Sequence, residues 1–387
     1  MNHIIDFQGI KDEVFQQYQR KKLSSFSEKI WNYHRDRINA TFEGGWDNEK
    51  FPWERAHQGW WKYPLAFASY SIPSLVLIDE SKYSEAVDCL RKSILLFKDT
   101  PIWDNWVKYG HGPDPICCRN IMYKGHLNLL YGLYQLISGD TEFESQLIQL
   151  TKIIVDEIEH NGKNNNCYGI ECENDQYFPV CNSQGVISLV IYDLVFGTDY
   201  YHEYGKKVAD FIAEKVTDKE TKMIFLKYHP SHDQAEAYLT GAANSWGLAQ
   251  LRFTDPDTMQ QGFENFKKLL VAIEEDGSQY LKECIYASEP AMGLEESFGL
   301  FYVLGLAKEF NDPDMWAGFM KHLSKKFGMS EVENRIRLTR ATNGEEHHAN
   351  SYILWGALHV TWEKIFDHDW KALIKRQRVK QLSLIHI

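Results

Sequence analysis

The chain has 387 residues, 44% hydrophobic and 25% charged, with a formal net charge of −12. That acidic surplus opposes phosphate binding and so argues against a nucleic-acid partner, and no apolar run approaches the ~20 residues that span a bilayer. Seven cysteines (Cys89, Cys117, Cys118, Cys167, Cys172, Cys181 and Cys284) are too scattered for a disulfide scaffold and read as free thiols.

From its start, Met1–Phe7 lacks the basic stretch and apolar core of a signal peptide, so a cytoplasmic location is expected. Helical periodicity then recurs along the chain. Tyr83, Val87, Leu90, Ile94 and Phe97 fall on one face, as do Phe143, Leu147, Leu150, Ile154 and Ile158, and Met259, Phe263, Phe266, Leu270 and Ile273. Turn signals at 78–81, 138–141, 196–199 and 311–314 end one helix and offer an Asp, Ser or Thr to cap the next. The pattern predicts helices over 8–38, 62–79, 83–98, 119–138, 141–159, 182–195, 199–216, 235–252, 257–275, 292–309, 312–326 and 348–366. These pair into hairpins in which a short turn alternates with a longer loop, so the long loops share one face. Period-two alternation is confined to short runs such as Lys222–Tyr228. An all-α array follows; an open solenoid is the alternative to a ring, but no repeating signature supports it. Residues 1–370 are expected to form one catalytic domain, with 371–387 a basic, flexible tail that includes Lys375, Arg376, Arg378 and Lys380.

Familiar cofactor motifs are missing: the sequence has no GxGxxG, no GxxxxGK[ST], no GxSxG and no DDxxD or DxDD. No cofactor and no metal are expected. Glu345-Glu346-His347-His348 and Asp367-His368-Asp369 look metal-like, but clusters on such polar loops are usually solvated. Cys172 and Cys181 are separated by a longer interval than the C-x2-C or C-x4-C of zinc sites. Thiols near pKa ~8.5 and an imidazole near ~6.5 can instead move protons close to neutrality. Both cysteines precede or open a predicted helix, whose positive end is expected to lower a thiol pKa. His126, near the start of another predicted helix, is the candidate partner.

The runs Asn120–Leu136 (NIMYKGHLNLLYGLYQL) and Cys172–Ser183 (CENDQYFPVCNS), followed by Tyr192-Asp193 and Gly197-Thr198-Asp199-Tyr200, resemble the linalool dehydratase-isomerase family. The resemblance extends more weakly from about residue 32 to 366. It implies closure into an (α/α)6 barrel and catalytic roles for Cys172, Cys181 and His126. That family also pairs an Asp with a Tyr six residues on. Asp36 matches the acid, while Phe42 stands where the Tyr would be, so dehydration of linalool itself does not transfer directly. A surface ion pair is the competing role for Asp36.

Aromatics make up 14% of the chain and gather at Phe42, Trp46, Phe51, Trp53, Trp60, Trp61, Trp103, Trp106, Tyr177, Phe178 and Trp246. Of these, Phe42, Trp46, Tyr177, Phe178 and Trp246, together with Met122 and Tyr228, are the expected lining of a dry pocket for an isoprenoid chain. The resulting expectation is a cofactor-independent lyase or isomerase acting on a small hydrophobic terpenoid by dehydration, allylic isomerisation or cyclisation, with no membrane span; a homo-oligomer is compatible with the resemblance. Two alternatives stay open. One is a carbohydrate-processing barrel using Glu295, Glu296 and Glu345; the other is a non-catalytic terpenoid-binding relative.

Overall fold

The computed structural model describes residues 5–46, 62–98, 107, 112–116, 120–282, 296–339 and 345–385. Its helices are α1 (Phe7–Arg20), α2 (Ser25–Gly44), α3 (Lys62–Ser69), α4 (Ile72–Ile78), α5 (Tyr83–Phe97), α6 (Ile121–Ser138), α7 (Glu144–Asn165), α8 (Pro179–Phe196) and α9 (Lys206–Lys215). They continue with α10 (Gly241–Leu251), α11 (Pro256–Leu270), α12 (Glu296–Glu309), α13 (Pro313–Phe327), α14 (Glu345–Leu358), α15 (Trp362–Phe366) and α16 (Trp370–Ile385).

Six of these close a ring. α3 packs on α6, α6 on α8, α8 on α10, α10 on α12, α12 on α14, and α14 returns to α3; α2, α5, α7, α9, α11 and α13 surround them. This is the (α/α)6 barrel. Sequence pattern sorts helices between the two layers. Every residue of α6 and of α10 is buried, as a helix apolar on all sides requires. Outer helices carry one stripe instead, such as Met259, Phe263, Phe266 and Leu270 on α11. α8 is long and apolar enough to cross a bilayer by length and composition, and it is mostly buried in the inner ring.

Inner helices pack closely where glycine allows it. A β-carbon on Gly305 of α12 would enter the ring of Trp355 on α14, and one on Gly356 would meet Leu304. Long connections crowd the face where the inner helices begin. Three antiparallel hairpins lie there: β1 (Lys227–His229) with β2 (Gln234–Glu236) before α10, β3 (Val271–Ile273) with β4 (Gln279–Leu281) before α12, and β5 (Met329–Val332) with β6 (Arg335–Leu338) before α14. One device recurs at this face. Asn182, Asn244 and Asn350, early in α8, α10 and α14, accept from the backbone N–H of Ile170, Ile224 and Leu338 at 2.9, 2.7 and 2.8 Å. Asn182 and Asn244 also donate to the carbonyls of Ile170 and Ile224, both at 3.0 Å. Each amide imitates a strand partner and pins the approaching chain to its helix.

Several predicted spans are cut by local chemistry. The run 8–38 breaks after Arg20, because Lys21 turns left-handed (φ 51°) and Ser24 caps α2 by accepting from Ser27 N–H. The run 62–79 breaks at Tyr70–Ser71, ahead of Pro73, which has no N–H to continue the ladder. Span 235–252 begins only at Gly241, after the β1–β2 hairpin, and 257–275 yields to β3 after Leu270. Span 348–366 is interrupted by Thr361, which caps α15. The basic stretch read as a tail lies within α16, where Arg376 pairs with Glu80 at 2.8 Å and Arg378 donates to Gly139 O at 3.1 Å. Asp369 caps that helix at Ala372 N–H, 2.9 Å away, and so has a structural use.

Candidate active site

His126 sits in the second turn of α6, fully buried, with its ring centre 5.2 Å from that of Tyr63 and 5.3 Å from that of Phe67. Tyr70, just beyond α3, lies parallel to the imidazole (6° between planes, 5.8 Å between centres), and its hydroxyl is hydrogen-bonded to His126 Nδ1. His126 Nε2 is buried and has no hydrogen-bond partner among the described residues. Burial alone lowers the imidazole pKa to about 3, so His126 is neutral at any physiological pH.

Cys181 is the third residue of α8, and Cys172 lies on the segment leading to it; both are buried free thiols. Asn182 holds Ile170 against the helix, and the turn Glu173–Gln176 closes through Cys172 N–H to Gln176 O at 2.9 Å. Those two clamps hold Cys172 near the start of α8, and burial first, then the neighbouring Cys172, pushes the Cys181 pKa well above its ordinary value. This corrects the expectation of a lowered pKa. The helix terminus contributes a fraction of a charge, and loss of water around a buried sulfur outweighs it. The phenol of Tyr63, also raised by burial, feels both sulfurs, and its ring lies 5.2 Å from that of His126. Glu173 acts on Cys181 and Tyr63 in the same direction.

Below these groups lies an aromatic floor. Phe67 is at its centre, with Trp246 at 4.9 Å, Tyr302 and Tyr352 each at 5.0 Å, and Trp355 at 5.8 Å between ring centres. Trp246 stacks on Tyr302 at 4.9 Å and donates to Gln250 Oε1 at 2.8 Å. No three His, Cys, Asp or Glu side chains converge to hold a metal among the described residues.

Of the expected pocket residues, Trp246 and Met122 lie on inner helices and are buried. Tyr177 and Tyr228 are buried as well. Their rings pack on Phe211 of α9 at 5.3 and 5.2 Å, and Tyr228 donates to Asp233 at 2.6 Å, so they join the two layers. Phe178 precedes α8 and is half-buried. Phe42 is 41% exposed at the end of outer helix α2, and Trp46 follows it half-buried. Asp36 also lies on α2, where Arg35 and Arg335 engage its carboxylate at 2.8 and 2.6 Å; no contact joins it to His126 or the thiols within the described residues. Phe51, Trp53, Trp60, Trp61, Trp103, Trp106, Cys117, Cys118, Cys284 and Glu295, and the side chains of Glu296 and Glu345, are outside the described residues.

Tyr63, Phe67 and Tyr70 were missed by sequence reasoning. Their i, i+4 and i+7 spacing is the available signal, and it is indistinguishable from that of an ordinary helical core stripe.

A closed ring of inner helices that buries thiols, an imidazole and phenols defines a class: an (α/α)6 barrel with a buried polar centre. Solved structures share this architecture. The glycoside hydrolase of family 105 from C. acetobutylicum ATCC 824 is 13% identical with a TM-score of 0.53, covering 87% of this chain and 99% of its own. An unsaturated glucuronyl hydrolase specific for heparin is 10% identical with a TM-score of 0.56, over 86% and 96%. The α-mannanase of family 76 from Bacteroides thetaiotaomicron is 11% identical at 0.55, over 88% and 97%. At such identities the likeness is one of fold alone. The particular assignment comes from the sequence profile of linalool dehydratase/isomerase, which matches residues 97–343. The chain belongs to the linalool dehydratase/isomerase family.

Proposed function

We propose that this protein is a cofactor-independent lyase or isomerase that moves a proton and a hydroxyl group on a small terpenoid alkenol. The observation that carries this reading is the burial of the Cys172 and Cys181 thiols at the start of α8 together with Tyr63, whose ring lies 5.2 Å from that of a neutral His126 with no partner at Nε2 among the described residues. One thiol delivers a proton to the substrate hydroxyl as the C–O bond breaks and water leaves. The thiolate so formed takes a proton from the neighbouring carbon, which restores the thiol and leaves a diene. Return of water at the other end of the allyl system gives the shifted alcohol; attack by an internal alkene gives a ring. His126 binds the oxygen during this exchange. Faces of Phe67, Trp246 and Tyr302 suit the transient allylic cation, since ring quadrupoles attract positive charge most strongly where water is absent.

Asp36 stands outside this single-chain arrangement because its carboxylate is engaged by two arginines. The exposed Phe42 in place of the family's tyrosine leaves cyclisation and double-bond isomerisation as open as dehydration. The test is incubation of reduced, oxygen-free protein with acyclic terpenols and prenyl dienes, with products read by gas chromatography–mass spectrometry. Turnover lost in both Cys172→Ala and Cys181→Ala supports the reading. Turnover unaffected by either substitution sinks it.

A further inference from the structure

We propose that Tyr70 is a positioning residue that fixes His126 as the Nε2–H tautomer, so that the imidazole meets its substrate as a donor to an oxygen atom. The inference rests on the functional reading above and narrows it, because a donor at that position selects an alcohol over a bare hydrocarbon.

The argument is one of hydrogen-bond accounting. Tyr70 is fully buried, and His126 Nδ1 is the one partner its hydroxyl has among the described residues. Either the phenol donates to Nδ1, or Nδ1–H donates to the phenol oxygen. In the second case the phenolic hydrogen has no acceptor, a deficit of about 1–3 kcal/mol for a buried donor. The first case pairs the phenolic hydrogen and moves the open hydrogen to Nε2, where a bound oxygen can meet it, whereas the second leaves it on a phenol packed against Phe67 and Trp362 with no acceptor. Burial holds the Tyr70 pKa well above its ordinary value, so the phenol keeps the proton it donates. Phe67 at 5.4 Å and Trp362 at 6.2 Å flank the Tyr70 ring and set its position. Nε2, on the other side of the imidazole, then lacks only an acceptor. A hydroxyl oxygen supplies one.

Reduced protein carrying 15N-labelled histidine tests this without any turnover. The His126 signals are identified by their absence from His126→Gln. The expected result is a one-bond hydrogen coupling at Nε2 and none at Nδ1. In Tyr70→Phe, coupling should appear at Nδ1 as well, and kcat should fall roughly tenfold with KM little changed, the equivalent of one lost hydrogen bond. Hydrogen on Nδ1 in the unsubstituted protein overturns the proposal. So does Tyr70→Phe that keeps both the single Nε2–H tautomer and full kcat. If Tyr70→Phe does not fold, the unsubstituted spectrum decides alone. An Nε2–H tautomer in a protein inactive on every terpenol would uphold the role of Tyr70 and refute the substrate reading, so the two failures are distinguishable.

Discussion

Acid should destabilise this barrel well above the range in which carboxylates titrate, and His126→Gln should remove a defined part of that sensitivity. His126 falls from 6.5 in the unfolded chain to about 3 when buried, and His34 on α2 does the same. Both stay neutral in the fold while the unfolded chain takes up protons, so unfolding becomes easier as pH drops through 6.5 towards 3. Each group then contributes a slope of about 1.36 kcal/mol per pH unit, and by about pH 5 each has cost about 2 kcal/mol. His368, lowered mainly by burial, acts in the same direction. Urea unfolding followed by fluorescence between about pH 4.5 and 6, compared between the unsubstituted protein and His126→Gln, isolates His126, since the depressed carboxylates of Asp218, Glu236, Glu274 and Asp276 contribute equally to both. His126→Gln should flatten the slope by about one proton. An unchanged slope would refute the claim that His126 is buried and neutral.

Other consequences follow from single contacts. Asn182→Ala removes both amide bonds to Ile170, and should cost about 1–3 kcal/mol in urea unfolding while lowering kcat by displacing Cys172. Gly305→Ala drives a methyl into the buried Trp355 ring; a loss of about 1–3 kcal/mol is expected in spite of alanine's better helix propensity, and a gain in stability would contradict the packing. Because burial and Cys172 raise the Cys181 pKa, alkylation of Cys181 at about pH 8 should be slower than that of free cysteine, as read by peptide mass spectrometry. Phe67→Ala should cost about 3–5 kcal/mol, since it empties the centre of the aromatic floor.

Much of the architecture was legible in the periodicity. The helices with clean stripes, α5, α7 and α11, are outer-ring helices, because only one of their faces meets the core. Inner helices such as α6 and α10 carry apolar or small residues on every side, and that pattern marks burial without saying against what. The ring order therefore came from contacts. Cys172, Cys181 and His126 were readable as chemistry-bearing residues in one stretch, and all three are buried in the barrel. Tyr63, Phe67 and Tyr70 were hidden because a helical aromatic stripe is the same whether it packs against leucines or faces a pocket. Tyr177 and Tyr228, loop aromatics in the sequence, pack between the layers on Phe211. The direction of the Cys181 shift was beyond the sequence, since burial competes with the helix terminus and only the fold says which prevails. Nor could spacing announce the repeated Asn182, Asn244 and Asn350 clamp, because the backbone each one holds reaches its helix by a different hairpin or turn.

The most direct test of the central claim is to follow the proton. Reduced protein is given a prenyl diene or acyclic terpenol in deuterated water, and the position of deuterium on carbon is read by mass spectrometry and NMR. The account predicts solvent deuterium at the carbon flanking the allyl system, lost in Cys172→Ala and in Cys181→Ala. Deuterium incorporated equally by both variants would contradict it.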